Sequence, residues 1–317
     1  MSRAPAARRP ARERGFALLA VLLVLAFVGV VGAEFAFSMR LEATAARSYK
    51  ESVVATHLAE AAVEQAVREI ANDYAYVGLA REGDCPLVFV TQDRIVRKRL
   101  PHRDVPLGAG TYSYCISDEE ARLNVNAAPP ERLARLLETL GLDKLTRDPI
   151  VDAVFDWRDA NDEHRLNGAE SEDTYLELPV PYRAKNANLD SLDELLQVKG
   201  VTRALLAGAD GRPGLTALAT VKTPGQVNIN TAHLEVLRAL GFSDAELSEI
   251  ERSRRETPYV AVPGRFAGRG LTVTSRTFRI DAEGAVDGRV LARVRAIVQK
   301  RADAGAADIA VLEWSYR

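Results

Sequence analysis

One uninterrupted apolar stretch near the start constrains this chain more than any other feature of its sequence. Residues 16–37 read FALLAVLLVLAFVGVVGAEFAF and contain a single charged residue, Glu34. A helix of 22 residues is about 33 Å long at about 1.5 Å per residue, enough to cross a bilayer core of about 30 Å. The stretch therefore predicts a membrane-spanning helix over residues 16–37.

The charges before this stretch predict its orientation. Five arginines occupy positions 3, 8, 9, 12 and 14, against the single acidic Glu13. Cytoplasmic flanks of membrane helices carry such an excess of positive charge, so the N-terminus is expected in the cytoplasm and the bulk of the chain outside it. The chain as a whole has a net charge of −2, which gives no basic excess for binding nucleic acid.

A cleaved secretory signal is the competing interpretation, because Val31 and Ala33 satisfy the small-residue rule at such a cleavage site. The apolar run is longer than the usual signal core of about 7–15 residues. Residues 34–71 also contain no proline or glycine, and five apolar residues share one helical face. These are Ala59, Val63, Ala66, Val67 and Ile70. We therefore expect a retained helix from Phe16 to about Ala71.

The junction Arg14-Gly15-Phe16, followed by the apolar helix, resembles the signal of type IV prepilins and pseudopilins. That resemblance implies cleavage by a prepilin peptidase between Gly15 and Phe16, and methylation of the Phe16 amine. The family usually has Glu at the fifth mature position, which here is Ala20. A subunit without that carboxylate cannot neutralise the amine of the subunit it would stack upon, which favours a position at the tip of a fibre.

Beyond the helix, two regions have the composition of strands and flank a helical one. Runs of β-branched and aromatic residues predict strands at 87–90, 110–117, 271–274, 277–283, 290–299 and 309–316. Glycines around residues 284–288 predict a hairpin turn. Residues 290–299 also fit a helix, and that alternative stays open. Between the strand regions, residues 119–255 follow helical spacing.

An internal repeat marks both ends of the helical region. Leu123-Asn-Val-Asn-Ala-Ala128 matches Val227-Asn-Ile-Asn-Thr-Ala232, and leucines at helical spacing follow each copy. We expect Asn126, and Asn230 or Thr231, to cap the helix that follows. Residues Ser191–Glu194 form the pattern of a capping box, which predicts a third helix ending near Gly200.

The same helix starts resemble helix-hairpin-helix modules, which grip the DNA backbone. Such modules need a tight glycine-containing hairpin whose amides meet a phosphate. Residues Gln197–Thr202 are the best candidate, and they stand alone. A membrane-anchored DNA-binding protein of a competence type is therefore the alternative function, although structural helix pairs explain the pattern without DNA.

Residues 152–173 form an acidic loop that holds eight carboxylates in 22 positions. They are Asp152, Asp156, Asp159, Asp162, Glu163, Glu170, Glu172 and Asp173. So many like charges repel one another unless water solvates them or a cation binds them. Calcium takes about six to eight oxygen ligands from such flexible loops. The composition alone leaves a bound metal and a solvated loop equally open.

Four segments in this order resemble the type II secretion system protein K family, whose members are large minor pseudopilins. They are Leu123–Asn126, Asp156–Asp159, Gly168–Tyr175 and Pro179–Asn186. The resemblance implies a pilin-like α/β domain with an inserted helical domain that binds structural calcium. It also implies a cap on the pseudopilus shared with the I and J pseudopilins. Matching positions give the candidate calcium ligands Asp156, Asp159, Asn161, Glu170 and Asp173.

The expected fold class is α+β, with a long membrane-spanning helix, a pilin-like α/β domain and an inserted all-helical domain. The predicted divisions are a cleaved leader at 1–15, the long helix at 16–72, the pilin-like domain at 73–118 and 256–317, and the insertion at 119–255. Cys85 and Cys115 either form one disulfide outside the cytosol or remain free thiols.

The expected function is that of a minor pseudopilin at the tip of the type II secretion pseudopilus, which helps to initiate its assembly and the export of folded proteins. The expected location is the inner membrane, with a single span and a periplasmic bulk. The expected partners are the I and J pseudopilins, the major pseudopilin and prepilin peptidase, and no nucleic acid. The sequence contains neither a nucleophile-elbow motif nor a phosphate-binding glycine loop, so an enzyme is not expected.

Overall fold

The computed structural model describes residues 13–72, 74–80, 83–303 and 306–316. The predicted leader falls largely on residues 1–12, outside this described part. Two compact units divide the chain, residues 1–54 and residues 55–317. The described part of the first unit is helical throughout and belongs to a single helix, α1 (Glu13–Ala71), which continues into the second unit. The prediction of one helix from Phe16 to about Ala71 is confirmed.

The second unit contains the remaining elements, whose bounds are as follows. The helices are α2 (Pro130–Thr139), α3 (Lys144–Arg158), α4 (Arg203–Ala207), α5 (Leu215–Leu218), α6 (Leu234–Ala239) and α7 (Asp244–Glu256). The longer strands are β1 (Tyr76–Leu79), β2 (Leu87–Val90), β3 (Val105–Leu107), β4 (Gly110–Asp118), β9 (Thr277–Val286), β10 (Arg289–Asp303) and β11 (Ala306–Tyr316). The two-residue strands are β5 (Leu123–Asn124), β6 (Ala219–Thr220), β7 (Val227–Asn228) and β8 (Leu271–Thr272).

An antiparallel sheet with the strand order β11-β10-β9-β4-β3 carries the second part of α1 on one face. Small residues such as Ala59 and Ala62 line the buried side of the helix, which lets the two backbones come close. At Gly284 on β9, a Cβ atom would lie 1.9 Å from the carbonyl oxygen of Ala55. Only glycine fits there, so the sequence fixes where α1 crosses the sheet.

A separate hydrophobic core lies in the helical region, around Leu136, Trp157 and Leu237. Residues 119–255 contribute no strand to the five-stranded sheet, although they include the short strands β5, β6 and β7. The pair β5–β6 is parallel, and so is β7–β8. Residues 290–299 lie in a strand, β10, so the helical alternative for them is wrong.

The internal repeat is a repeat in three dimensions. We call residues 123–158 the first repeat and residues 227–254 the second repeat. Each begins with a two-residue strand and a tight turn, continues through a helix (α2 or α6), and bends at a glycine into a second helix (α3 or α7). Gly141 and Gly241 have φ angles of 93° and 90°, the left-handed conformation that glycine adopts without strain. Helices α2 and α6 pack against each other.

Three capping predictions are wrong. Helix α2 begins after Pro129 and α6 after His233, and neither start has a side-chain cap. The two asparagines reach elsewhere: Asn126 bonds to the backbone of Leu189, and Asn230 to that of Tyr259. Ser191 does not cap its helix, a 3-10 segment over Leu192–Gln197. For the two asparagines, a tertiary partner takes the side chain that a local cap would have used.

Candidate functional sites in the apolar helix and the acidic loop

The first candidate site is the apolar part of α1. The helix from Phe16 to Ala71 is long and apolar enough to cross a membrane, by length and composition. Its side chains from Phe16 to Lys50 are exposed, and most of those up to Phe37 are large and hydrophobic. The cleavage pair Gly15 and Phe16 lies inside the helix. Such a surface needs lipid or other apolar helices around it.

The second candidate site is the acidic loop, and Asp156 lies at its base. Asp156 is the third residue from the end of α3 and is fully buried. Its carboxylate accepts hydrogen bonds from the backbone N–H groups of Arg165 and Ala169, at 3.1 and 2.9 Å. Burial raises the pKa of Asp156, while these N–H groups oppose the rise. A Cβ atom at Gly168 would lie 1.7 Å from its Oδ2 atom, so the loop needs glycine there.

Glu170 is the second buried carboxylate of the loop. Neither of its carboxylate oxygens has a hydrogen-bond partner among the described residues. Burial, and then the nearby charge of Asp156, raise the pKa of Glu170 to about 7, and Asp159 and Asp162 add to the effect. A buried carboxylate without a partner is costly unless it takes up a proton or a cation. This unpaired carboxylate is therefore the strongest indication in the loop of a bound proton or cation.

Of the other three candidate ligands, Asn161 and Asp173 are exposed and Asp159 is half-buried, and all three are engaged with one another or with nearby groups. Asn161 donates its side-chain amide to Asp159 at 3.0 Å. Asp173 accepts the backbone N–H of Glu170 at 3.2 Å. Within the described ranges, no three His, Cys, Asp or Glu side chains converge in a metal-binding arrangement. The structure thus brings Asp156 and Glu170 together and leaves Asp159, Asn161 and Asp173 at the surface above them.

The donor set nevertheless fits a hard cation. Carboxylate and amide oxygens are the ligands that calcium prefers, and flexible exposed residues complete such sites around buried ones. In a solvated loop, water would satisfy the carboxylates. The two oxygens of Glu170 are instead buried and have no hydrogen-bond partner among the described residues, which favours a bound cation. The arginines of the region neutralise the loop only in part: Arg165 lies 3.8 Å from Asp156 and Arg183 pairs with Glu172. Arg158 donates instead to the carbonyl oxygens of Val125 and Ala128.

The two cysteines meet at the five-stranded sheet. Cys85 precedes β2 and Cys115 lies on β4, and the structure joins them by a disulfide with an S–S distance of 2.06 Å. Of the two alternatives that the sequence leaves open, the structure has the bonded one. The bond ties the segment before β2 to the central sheet.

The glycine turn proposed for DNA binding has a structural role. Gly200 has a φ of 85°, and a Cβ atom there would lie 2.8 Å from the Ile150 side chain. The turn therefore packs against α3 and the helical core. At both bends of the repeats, the N–H groups of the glycine and the next residue bond to carbonyls of the preceding helix, as at Gly141 and Gly241. These amides are already taken, so the bends offer no pair of free donors to a phosphate.

Sequence reasoning missed the two arginines that close the repeats. Arg158 ends α3 and bonds the turn at Val125 and Ala128, and Arg254 near the end of α7 bonds the equivalent turn at Ile229 and Ala232. The signal was present in the sequence, because both arginines follow an Asn-x-Asn turn and two helices. Their role is visible only after the two copies are aligned over their full length.

Comparisons with known proteins agree with this architecture. A family model described as type II secretion system protein K matches residues 115–220. Proteins named type II secretion system protein K are 34% identical in Pectobacterium carotovorum, over 30% of this chain and 34% of the relative. The Pseudomonas aeruginosa protein is 27% identical over 72% of this chain and 68% of its own length. The Aeromonas hydrophila protein is 27% identical over 78% and 76%.

One solved structure has a similar fold. A chain of the crystal structure of the GspK-GspI-GspJ complex from the enterotoxigenic Escherichia coli type 2 secretion system superposes with a TM-score of 0.58. The match covers 88% of this chain and 99% of that chain at 18% identity. A long apolar helix that leads into an α+β fold with an added helical region is the fold that this chain shares with that structure. In sequence, the chain is similar to the type II secretion system protein K family over residues 115–220. The DNA-binding alternative receives no support from these matches.

Proposed function

We propose that this chain is a minor pseudopilin of a type II secretion system, placed at the tip of the pseudopilus, where it helps to start assembly and the export of folded proteins across the outer membrane. The observation that carries the proposal is helix α1, one helix whose first part is apolar and exposed and whose second part packs on a sheet. Such a helix can leave a membrane and enter a helical fibre without refolding. No catalytic role is proposed.

The arrangement in the cell follows from the same helix. Residues 16–37 span the inner membrane once, with the arginine-rich leader in the cytoplasm and residues 55–317 in the periplasm. A disulfide between Cys85 and Cys115 suits that oxidising compartment. Prepilin peptidase removes residues 1–15, and the new amine of Phe16 is methylated. The full division into a pilin-like domain (73–118 and 256–317) and an inserted domain (119–255) belongs to this proposal.

The tip position rests on Ala20 and on the matched complex. A subunit that lacks a carboxylate at the fifth mature position cannot neutralise the N-terminal amine of a subunit ahead of it in the fibre. The similar chain of known structure is part of a GspK-GspI-GspJ complex. The partners proposed here are accordingly the I and J pseudopilins of the same system, with the major pseudopilin below them.

Processing of the leader tests the assignment. In cells with active prepilin peptidase, Gly15→Leu should leave residues 1–15 attached, because the peptidase reads the small residue before the apolar helix. Intact-mass measurement of the N-terminus should find Phe16, methylated, in the wild type only. Gly32→Leu is the matched control, since a side chain at Gly32 meets nothing within 4 Å, and it should mature normally. Normal maturation of Gly15→Leu, or a wild-type N-terminus at Glu34, would refute the pilin assignment.

The acidic loop is proposed to hold calcium in a structural role. Asp156, Asp159, Asn161, Glu170 and Asp173 are the proposed ligands. The buried Asp156 and the orphaned Glu170 support this role, because a divalent cation would replace the repulsion between them with coordination. Calcium-dependent melting of the full chain in detergent, compared with matched ionic strength from sodium chloride, is the measurement that tests it.

A further inference from the structure

The outer edge of β11 is an exposed strand edge of the second unit to which the proposed function assigns no role. β11 (Ala306–Tyr316) and β3 (Val105–Leu107) are the two edges of the five-stranded sheet, and within the described ranges no strand pairs with the outer side of either. β3 is only three residues long and contains Pro106, both of which blunt an edge. β11 is 11 residues long and contains neither proline nor lysine. Only the β3 edge is therefore protected against pairing.

The side chains of β11 on the α1 side of the sheet are apolar. Val311 lies opposite Val298, Trp314 opposite Ala296 and Tyr316 opposite Val294, all three of them buried residues of β10. The exposed fractions of the three β11 side chains are 56%, 37% and 60%. Each thus continues a buried row of the sheet outward and keeps between 37% and 60% of its surface open to contact with a partner.

Helix α1 covers this apolar row only in part. The Tyr316 hydroxyl donates a hydrogen bond to Glu60 of α1 at 2.8 Å, and the rings of Trp314 and Tyr316 lie 6.2 Å apart. These contacts hold the two aromatic side chains in place. Fixed aromatic side chains beside an open backbone edge are typical of a surface that another chain covers.

The opposite face of β11 is acidic. Glu313 lies opposite Ile297, Ser315 opposite Arg295, and Asp308 opposite Arg301. A register shift between Ile297 and Val298 of β10 places Val311 and Trp314 on one face and Asp308 and Glu313 on the other. β11 itself contains two carboxylates and no cation. A chain that pairs with its edge therefore meets an apolar row on one side and negative charge on the other.

The open backbone edge of β11 requires an extended partner strand, and the carboxylates of β11 indicate which kind of chain supplies it. Alternate N–H and C=O groups of an edge strand point away from the sheet, and an extended backbone is the partner that satisfies them in sequence. A second copy of β11 would bring its own carboxylates to the acidic face, and like charges opposite each other destabilise a strand pair. A different chain with basic residues on that face removes the repulsion.

We propose that the outer edge of β11 docks an extended strand of a different pilin-like subunit, one with apolar residues on one face and Lys or Arg on the other. The proposal deepens the assembly role above and rests on it. The docked strand continues the sheet, covers Val311, Trp314 and Tyr316, and pairs its basic residues with Asp308 and Glu313. The blunted β3 edge leaves one direction of growth, as a subunit at one end of a fibre requires.

Photo-cross-linking of the full chain in cells that carry the complete secretion apparatus tests the edge directly. The photoreactive residue p-benzoylphenylalanine replaces Val311 in one variant and Leu107, 47% exposed on the β3 edge, in a control. Mass spectrometry of the adducts should identify another pilin-like subunit at position 311 and none at position 107. Adducts to a second copy of this chain, to an unrelated protein, or to nothing at position 311 would overturn the proposal.

Co-purification separates this proposal from the assembly role. Trp314→Lys places a cation in the apolar row and should reduce the amount of co-purified pilin-like subunit by about tenfold. Leu107→Lys on the β3 edge should leave it unchanged, and equal melting temperatures should show that both variants fold. If Trp314→Lys captures as much pilin-like subunit as the wild type, docking at the β11 edge is refuted and the proposed assembly role still stands. If the wild type captures no pilin-like subunit, both proposals fail.

Discussion

The two repeats of the helical region have nearly the same backbone path. They differ in the length of the segment that follows the closing arginine. In both, the turn is closed by the first asparagine, which accepts the N–H of the second at 2.7 and 2.9 Å. The second asparagine then bonds the backbone of Leu189 in the first repeat and Tyr259 in the second. Residues 159–188 join Arg158 to Leu189, whereas residues 255–258 join Arg254 to Tyr259.

That difference shows what the acidic loop contributes. Four residues suffice to connect the second repeat, so the fold of a repeat does not require the 30 residues that the first one carries. The extra chain holds most of the acidic loop, including four of the five proposed calcium ligands. A long segment inside a compact domain needs its own source of order, and the proposed calcium ion would supply one.

Each repeat also lies beside one buried carboxylate with a pKa of about 7. Asp118 at the end of β4 contacts the second repeat, and Glu170 lies beside the first. Burial is the main cause of the raised pKa in both. Asp118 accepts hydrogen bonds from Asn228, Thr231, Ser275 and the backbone of Glu120. Neither carboxylate oxygen of Glu170 has a hydrogen-bond partner among the described residues, and only the nearby backbone N–H of Ser171 lowers its pKa. The protein thus satisfies the first carboxylate with hydrogen bonds and leaves the second without them.

The largest expected effect comes from removing the satisfied carboxylate. Asp118→Ala leaves four buried donors unpaired and should lower the free energy of unfolding by about 4 kcal/mol. The loss should be the same with calcium and with chelator. Urea unfolding of the full chain in detergent measures it. Asp244→Ala, which removes an exposed carboxylate of the second repeat, should change stability by less than about 0.5 kcal/mol. If the stability lost by Asp118→Ala depends on calcium, the distinction drawn here between Asp118 and Glu170 is wrong.

Calcium should act on the first repeat. A cation held only by the folded state stabilises by about 2.7 kcal/mol at a hundredfold excess over Kd, which raises the melting temperature by about 5 °C. Asp159→Ala and Glu170→Ala should each remove most of the shift, while Glu172→Ala, exposed and paired with Arg183, should keep it. Sodium chloride at equal ionic strength should not reproduce the shift. If it does, screening explains the loop and the calcium proposal is wrong.

The two closing arginines should matter equally. Arg158→Met and Arg254→Met each remove charged donors from two backbone carbonyls. Each variant should lose about 2 kcal/mol of stability, and methionine keeps an apolar stem in place of the arginine methylenes. Parallel urea titrations give the comparison. Unequal losses would mean that the longer connection of the first repeat has changed how its turn is held.

The smallest effect is a pH dependence that separates the two carboxylates. The folded-state pKa of Glu170 is about 7, above its ordinary value of 4.5. Its contribution to stability is therefore full below about pH 4.5 and is lost as the pH rises through 7. Without calcium, Glu170→Gln should gain about 1 kcal/mol on the wild type between pH 5 and pH 6. Because Asp118 titrates in both proteins, its effect cancels. A constant difference across this range would contradict the raised pKa.

Much of the fold was predictable because its signals are local. The apolar run, the absence of proline and glycine over residues 34–71, and the alternation in β9 each determine an element through nearest neighbours along the chain. Residues 290–299 were ambiguous because strand and helix patterns overlap there; pairing with β9 and β11 on both sides made them a strand. The helix caps failed for the opposite reason, since Asn126 and Asn230 bond residues far along the chain.

The sequence by itself determined the membrane helix, the α+β class, the doubled Asn-x-Asn turn and the concentration of carboxylates in one loop, because each depends on composition or spacing within a few turns of chain. Only the tertiary structure decided that Glu170 is buried without a hydrogen-bond partner while Asn161 and Asp173 stay exposed. It also decided that Asp118 gathers donors from two distant segments, residues 228–231 and Ser275. Burial and hydrogen bonding depend on which segments meet, and a carboxylate's charge becomes costly only where water has been excluded.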